Sequence, residues 1–445
     1  MTNTRGSLFD PTFGAGVGAA LVSDQAWVTA MLDTEAALSR AAARHGLVEK
    51  AHADVVSSAA SALGKPGGVD IAELGMLSAA GGNPVIPLVE ILREAVAPQG
   101  VPGNAVHPGA TSQDIVDTAL MLLTQQALVA IRTSIGDAIT AGAQLARQYR
   151  DTPTAGRTLG QQALPTTFGA VAAGWTAGLL RADDALRRVA DTVTVQFGGA
   201  AGTSAALFPH GLDIADALAE ELGLAGQVVP WHTDRTRIAD IVGALGLAAG
   251  AIAKPALDIT LLAATEVGEV EEAAPGGSSA MPHKRNPVAA ITARAAAKRV
   301  PGLVATALSS MEHEHQRAAG AWHAEWETVT DLLRLTAGSA HQLATSLSGL
   351  RVHSDAMADN LDITHGLLLA ERVSAALSSH TDAARDIVTA ACASGSALDA
   401  DPSITEYIEP TEVRELLDPA QYLGHAGDIV DRVLAGVHAR NERRS

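Results

Sequence analysis

At 445 residues the chain is too long for one compact core and long enough for two or three packed units. Hydrophobic residues make up 47% of it and aromatics only 3%, so the apolar content is mostly Ala, Leu, Val and Ile, which points to an all-α protein of closely approaching helices. A formal charge of −18, with no acidic tail, argues against nucleic acid and anionic membrane as partners, and the single cysteine, Cys392, excludes an internal disulfide framework and a cysteine-based metal cage.

The cytosol is therefore the expected compartment. The start MTNTRGSLFDPTFG has no basic segment leading into an apolar run, so no signal peptide is expected. No stretch of 18 apolar residues is free of polar or glycine breaks, so no membrane span is expected either.

In chain order, 23–64 and 70–97 read as short amphipathic helices, with Ser23 and Asp24 as an N-cap ahead of AWVTAMLDTEAALSRAAARHG and Gly46 as its close. The loop APQGVPGNAVHPG follows. From Ser112 to Arg150 the spacing of Ile115, Leu122, Val129 and Ile135 is helical. Further long helices are expected at 166–198, 233–272 and 288–342, with kinks at Pro255 and Pro301 where a backbone donor is lost. Helices this long imply an elongated bundle whose apolar faces are too wide for one chain to cover, hence an oligomer. Shorter helices, broken by LDADPS and EPTE, are expected over 351–445. No internal repeat or low-complexity tract is present.

Three polar islands interrupt this apolar background: HPGATSQD (107–114), GRTLGQQALP (156–165) and GGSSAMPHKRNPV (276–288). Each supplies hydroxyls, amides and a cation, a set suited to gripping carboxylates without a metal. The first two also have purely structural readings, Thr111 or Ser112 as the cap of the long helix and Arg157 with Thr158 as ties of a loop. The third resists one: paired glycines allow mobility, and a basic pair beside a helix start makes an anion site. EHEH (312–315) is not read as a metal site, because neighbouring positions on a helix point in different directions. Trp231 and His232, just before a long helix, read as a packing anchor and a cap.

GGSSAMPHKRNP resembles the GSSxMPxKxNP signature of the fumarase/aspartase superfamily, and HPGATSQDIVDTA and GRTLGQ resemble its first and second signatures, in the expected order. Within it, LFDPTFG, ATSQDIVDTA, HEHQRAAGAWHAEW and LLDPAQYLGHAGDIVDRVL are most similar to the bacterial 3-carboxy-cis,cis-muconate cycloisomerases, and the likeness spans essentially the whole chain. The resemblance implies a three-domain, all-α chain: an N-terminal helical domain 1–110, a central long-helix domain 111–350 with a catalytic loop 275–287, and a C-terminal domain 351–445. It also implies a homotetramer with a twenty-helix core, sites shared among three subunits, a small polycarboxylate substrate, and neither cofactor nor metal. By residue, Ser278 would exchange a proton at the carbon beside a carboxylate, and Lys284 and Asn286 would stabilise the enediolate-like intermediate. His107, Thr111, Ser112, Gln113, Arg157, Thr158, Gln161, Ser279, Met281, Arg317 and His323 would bind substrate.

One departure is informative. Superfamily members that expel water or an amine carry a histidine after the threonine of the second island and a glutamate five residues beyond the signature asparagine. Here those positions hold Leu159 and Ile291. Water and amines must be protonated to leave, whereas a carboxylate attacks or leaves as the anion. Lactonisation of a muconate fits that chemistry, and so does expulsion of nitrite from a nitrosuccinate. An adenylosuccinate-type substrate fits less well, since its amine would leave unassisted. A non-catalytic scaffold on the same fold is the reading from another class, and the joint presence of Ser278, Lys284 and Asn286 argues against it.

Overall fold

The computed structural model describes residues 8–277 and 280–442. Two short helices, α1 (Asp10–Phe13) and α2 (Gly18–Leu21), precede α3 (Asp24–Arg44), α4 (Lys50–Leu63), α5 (Ile71–Gly81) and α6 (Val85–Val96). Helix α3 begins as expected: the Ser23 hydroxyl accepts the Ala26 N–H at 3.2 Å. Val28, Met31, Leu32, Glu35, Leu38 and Ala42 are buried at helical spacing along it. It ends at Arg44, with Gly46 at φ +74° turning the chain. Asp70 caps α5 through two backbone N–H bonds, yet that helix buries only Leu74.

The long helices are α7 (Ser112–Gln148), α8 (Phe168–Ala190), α10 (Thr236–Leu262), α11 (Val288–Ser309) and α12 (Ala321–Ser348), with α9 (Gly211–Leu222) between the second and third. Helix α7 has 37 residues, roughly 55 Å at the usual rise. Both α10 and α11 continue through their internal prolines. The single helix expected over 288–342 is two helices. Residues 310–320 leave the helical path with His315 at φ +48° and Gly320 at φ +120°. That excursion lets His313 reach the His232 carbonyl at 3.2 Å and Arg317 the Thr111 hydroxyl at 2.6 Å. EHEH therefore lies on a loop, not a helix.

The all-α expectation needs one correction. Strands β1 (Pro153–Thr158) and β2 (Gln161–Thr167) form an antiparallel hairpin with an irregularity between Ala155 and Arg157. A second antiparallel pair joins β3 (Val270–Glu272) to β4 (Leu350–Val352). The second polar island is thus a hairpin, and its turn residues Leu159 and Gly160 both have positive φ, +51° and +82°. That is the type I′ pattern, in which leucine is a costly first residue.

The remaining helices are α13 (Ser354–Asp362), α14 (Ala370–Leu377), α15 (Ala384–Ser394), α16 (Pro402–Thr405), α17 (Pro410–Leu416) and α18 (Ala426–Glu442). Val373, Leu377, Val388, Leu398, Ile404, Ile408 and Val413 form a core of their own there.

The chain packs as two compact units, each discontinuous in sequence. One comprises 1–135, 182–253 and 292–342, the other 136–181, 254–291 and 343–445. All five divisions fall inside α7, α8, α10, α11 and α12. Two of these, α7 and α10, have the length and composition of a membrane span. The most apolar stretch of α7 is 72% buried within the protein, but that of α10 only 39%.

Candidate active site

In the first unit the predicted residues gather where α7 begins. His107 and Gly109 turn the chain at φ +60° and +66°, and a Cβ on Gly109 would stand 2.4 Å from Leu207 Cγ, so only glycine fits. Asp114 then anchors the loop. Its carboxylate accepts the N–H groups of Thr111 (2.9 Å), Gly198 (3.0 Å) and Gly199 (2.9 Å), and His232 Nε2 at 2.7 Å. The bond from Asp114 back to the Thr111 N–H is the reciprocal half of a capping box. The Thr111 hydroxyl does not cap the helix; it accepts from Arg317 Nη1. Thr111, half-buried Ser112 and Arg317 thus stand together at the positive end of a long helix, an arrangement suited to an anion. Burial pulls the Arg317 pKa below its ordinary value, opposed by the attraction of Asp114 and Asp117.

Beneath this surface lies a buried ionic floor. The Arg235 guanidinium donates to Asp117 at 2.8 and 3.1 Å and to Glu325 at 2.5 to 3.1 Å. Burial disfavours its charge, but the two carboxylates outweigh that and hold its pKa above the ordinary arginine value. Trp322 Nε1 donates to Asp117 at 3.0 Å. His313, its side chain wholly buried, stands 3.4 Å from Glu325.

Gln113 lies deeper than its neighbours. Its side chain is fully buried, and its amide donates to Asp117 at 3.0 Å and to the His232 carbonyl at 2.9 Å. Both amide protons are thus spent within the chain, so in this structure Gln113 braces the start of α7. His232 likewise pairs with Asp114 instead of capping a helix, while Trp231 is the packing anchor expected, 1% exposed with Nε1 on the Val195 carbonyl. His107 Nδ1 lies 2.6 Å from the buried Glu35 carboxylate. Burial works against the imidazolium, but Glu35, by charge and hydrogen bond, and Asp114 push the His107 pKa upward overall. His323 is exposed, with Nε2 3.0 Å from the Gly82 carbonyl and its ring against Trp322 and Trp326.

The other predicted residues belong to the second unit. Arg157, near the end of β1, is gripped by the wholly buried Glu269, with Nη1 at 3.1 Å and Nη2 at 2.5 Å. Glu269 also accepts from Asn360 Nδ2 at 2.8 Å and from the Thr154 hydroxyl at 3.4 Å. Two of the five guanidinium protons are thereby used, which leaves three donors on a side chain 29% exposed. Thr158, Leu159 and Gln161 are exposed at the hairpin tip.

In the third island, Gly276 and Asn286 bond to each other in both directions, N–H to carbonyl at 2.9 and 3.1 Å, closing the loop at its base. A Cβ on Gly276 would meet Val288 Cγ2 at 2.2 Å. Asn286 Nδ2 donates to the Gly276 carbonyl at 3.2 Å, and Arg285 pairs with Glu271 at 2.5 Å. Met281 and Lys284 are exposed. Ser278 and Ser279 lie outside the described residues.

The carboxylates that organise both groups, Glu35, Asp114, Asp117, Glu269 and Glu325, were not singled out from the sequence. Asp114 and Asp117 lie at the start of the long helix, and Glu269 lies in the acid-rich EVGEVEEAAP. Only the contrast of acids within otherwise apolar helical faces offered a signal.

A family model described as Lyase matches residues 17–302. Nitrosuccinate lyase of Streptomyces davaonensis is 42% identical, covering 94% of this chain and 92% of its own. The 3-carboxy-cis,cis-muconate cycloisomerase of Pseudomonas aeruginosa is 43% identical, covering 97% and 96%. Among solved structures, 3-carboxy-cis,cis-muconate lactonizing enzyme from Pseudomonas putida superposes with a TM-score of 0.90 at 39% identity, covering 98% of this chain and 99% of that one. The three islands were thus a sound guide, and with such agreement along nearly its whole length the chain belongs to the fumarase/aspartase superfamily of lyases.

Proposed function

We propose that the enzyme lactonises 3-carboxy-cis,cis-muconate to 4-carboxymuconolactone, the cycloisomerase step of protocatechuate breakdown, in the cytoplasm and without a cofactor. An internal carboxylate of the substrate adds to a double bond, and a proton is delivered to the carbon alpha to another carboxylate. Ser278 carries that proton, while Lys284 and Asn286 stabilise the enediolate-like intermediate. Thr111, Ser112, Arg317 and Arg157 hold the carboxylates, with His107, Thr158, Gln161, Ser279, Met281 and His323 around them.

The observation that carries this reading is the apolar pair Leu159 and Ile291. The leucine stands fully exposed at a hairpin tip and the isoleucine is 42% exposed, where protonation of a leaving group would need an acid. A bare leucine at positive φ has no compensating contact among the described residues, which favours a site completed by other subunits. The most apolar stretch of α10, only 39% buried, also favours the tetramer.

A second reading, expulsion of nitrite from nitrosuccinate, is favoured by the 42% identity to the Streptomyces enzyme and obeys the same leaving-group argument. Mixing pure enzyme with each compound separates them. Loss of the conjugated-diene absorbance of 3-carboxymuconate supports lactonisation; nitrite release from nitrosuccinate with the diene untouched replaces it by the second reading.

A further inference from the structure

We propose that His45, His210 and Asp213 form a surface site for a divalent transition metal of the zinc class, sharing no residue with the candidate active site.

The three side chains come from two packed elements. His45 directly follows α3, on the turn closed by Gly46, while His210 directly precedes α9, its side chain making no cap bond, and Asp213 follows in the first turn. The i, i+3 spacing of His210 and Asp213 puts both on one face of α9, and α3 packs against that helix. One ligand atom from each residue lies within 4.8 Å of the other two. The imidazole centroids are 6.0 Å apart at an interplanar angle of 31°, and His210 Nδ1 is 3.8 Å from Asp213 Oδ2.

These separations are too long for hydrogen bonds, and His210 and Asp213 make only a long ion pair. They are close to what a shared cation requires. Bonds of about 2.0–2.2 Å in tetrahedral geometry set neighbouring ligand atoms roughly 3.4 Å apart. Rotation of half-buried imidazoles and an exposed carboxylate supplies the remaining movement. Two neutral imidazoles and one carboxylate suit zinc, nickel or copper better than magnesium or calcium, which prefer oxygen ligands. One or two positions remain for water. The site stands at the C-terminal end of the 21-residue α3, where the helix dipole favours positive charge, and Asp213 offsets the opposite effect of the α9 start. Bound there, the metal ties α3 to α9.

The test uses the full-length protein after removal of metal with a chelator. Zinc is titrated calorimetrically, and cobalt is followed by its visible absorption. One tightest equivalent per chain is expected. It should weaken at least about tenfold in His45→Ala, His210→Ala and Asp213→Asn, since loss of even an outer-shell partner costs that much. Zinc should raise the melting temperature of the wild type and not of His45→Ala. His425→Ala is the control: that exposed histidine pairs with Asp428 at 2.7 Å and has no third ligand beside it among the described residues, so the tightest equivalent should persist. Metal-free melting checks that each variant is folded. A tightest equivalent undiminished in both His45→Ala and His210→Ala overturns the proposal, as does the absence of any saturable equivalent in the wild type.

Discussion

The carboxylate of Glu269 shows how one buried residue sets the chemistry of an exposed one. It takes donors from Arg157, Asn360 and Thr154, which fixes the guanidinium in place while its free protons face outward. Glu269→Gln keeps the shape and removes the charge. We expect a loss of about 3 kcal/mol in unfolding free energy, the low end for a broken buried pair because Arg157 still meets water. Denaturant titration measures it, and an unchanged midpoint would show that the pair is not stabilising. The His107–Glu35 contact makes a second prediction. The His107 pKa is raised in the folded state, so the pair's contribution is fully present below the ordinary histidine value of about 6.5 and fades as pH rises through the folded value above it. Unfolding free energies measured from pH 6 to 9 should decline in the wild type and decline less in Glu35→Gln. Equal slopes would assign the decline to another group.

At the scale of elements, the long helices were legible because alanine-rich apolar spacing at a period of 3.6 has few other outcomes. The β1–β2 hairpin was not, because its strands carry no clean alternation and its turn holds Leu-Gly instead of Asn-Gly. The break at 310–320 was hidden for a different reason. EHEHQRAAGAW has good helix formers, and what pulls it off course is distant in sequence: the His232 carbonyl and the Thr111 hydroxyl. The same limit explains the site. The islands point to exposed or half-buried polar residues such as Thr111, Ser112 and Arg157, but the acids behind them acquire meaning only through partners such as His232, Arg235 and Asn360. The hairpin carries its own prediction. Leu159→Gly should leave stability unchanged or raise it by up to about 1 kcal/mol, since φ +51° suits glycine, yet on the proposed shared site it should lower turnover by removing an apolar side chain. Melting curves and initial rates give the two halves, and undiminished turnover would take Leu159 out of the site.

For the whole molecule, assembly is the first expectation. If the active site draws on several chains, light scattering of active enzyme should give a mass near four times 45.4 kDa. An active monomer would end the shared-site reading. Leu247 and Leu261 on α10 are exposed, apolar surface that the proposed assembly would cover.

Five rods that each pass through both packing units have a thermodynamic corollary. If one unit melted alone, α7, α8, α10, α11 and α12 would all have to end at mid-length, near 135, 181, 253, 291 and 342, and every new end would strand about four backbone donors or acceptors. Partial melting is therefore disfavoured five times over. Scanning calorimetry should show one endotherm, with none of the two-step behaviour that two independently folding units would give; two resolved peaks would mean that the helices break where the units divide. With a single cooperative transition, a harmful substitution in the C-terminal core around Leu377 and Val413 depletes the folded population that also carries the Thr111–Arg317 contact. Local damage then appears as fewer working molecules, each with normal kinetics.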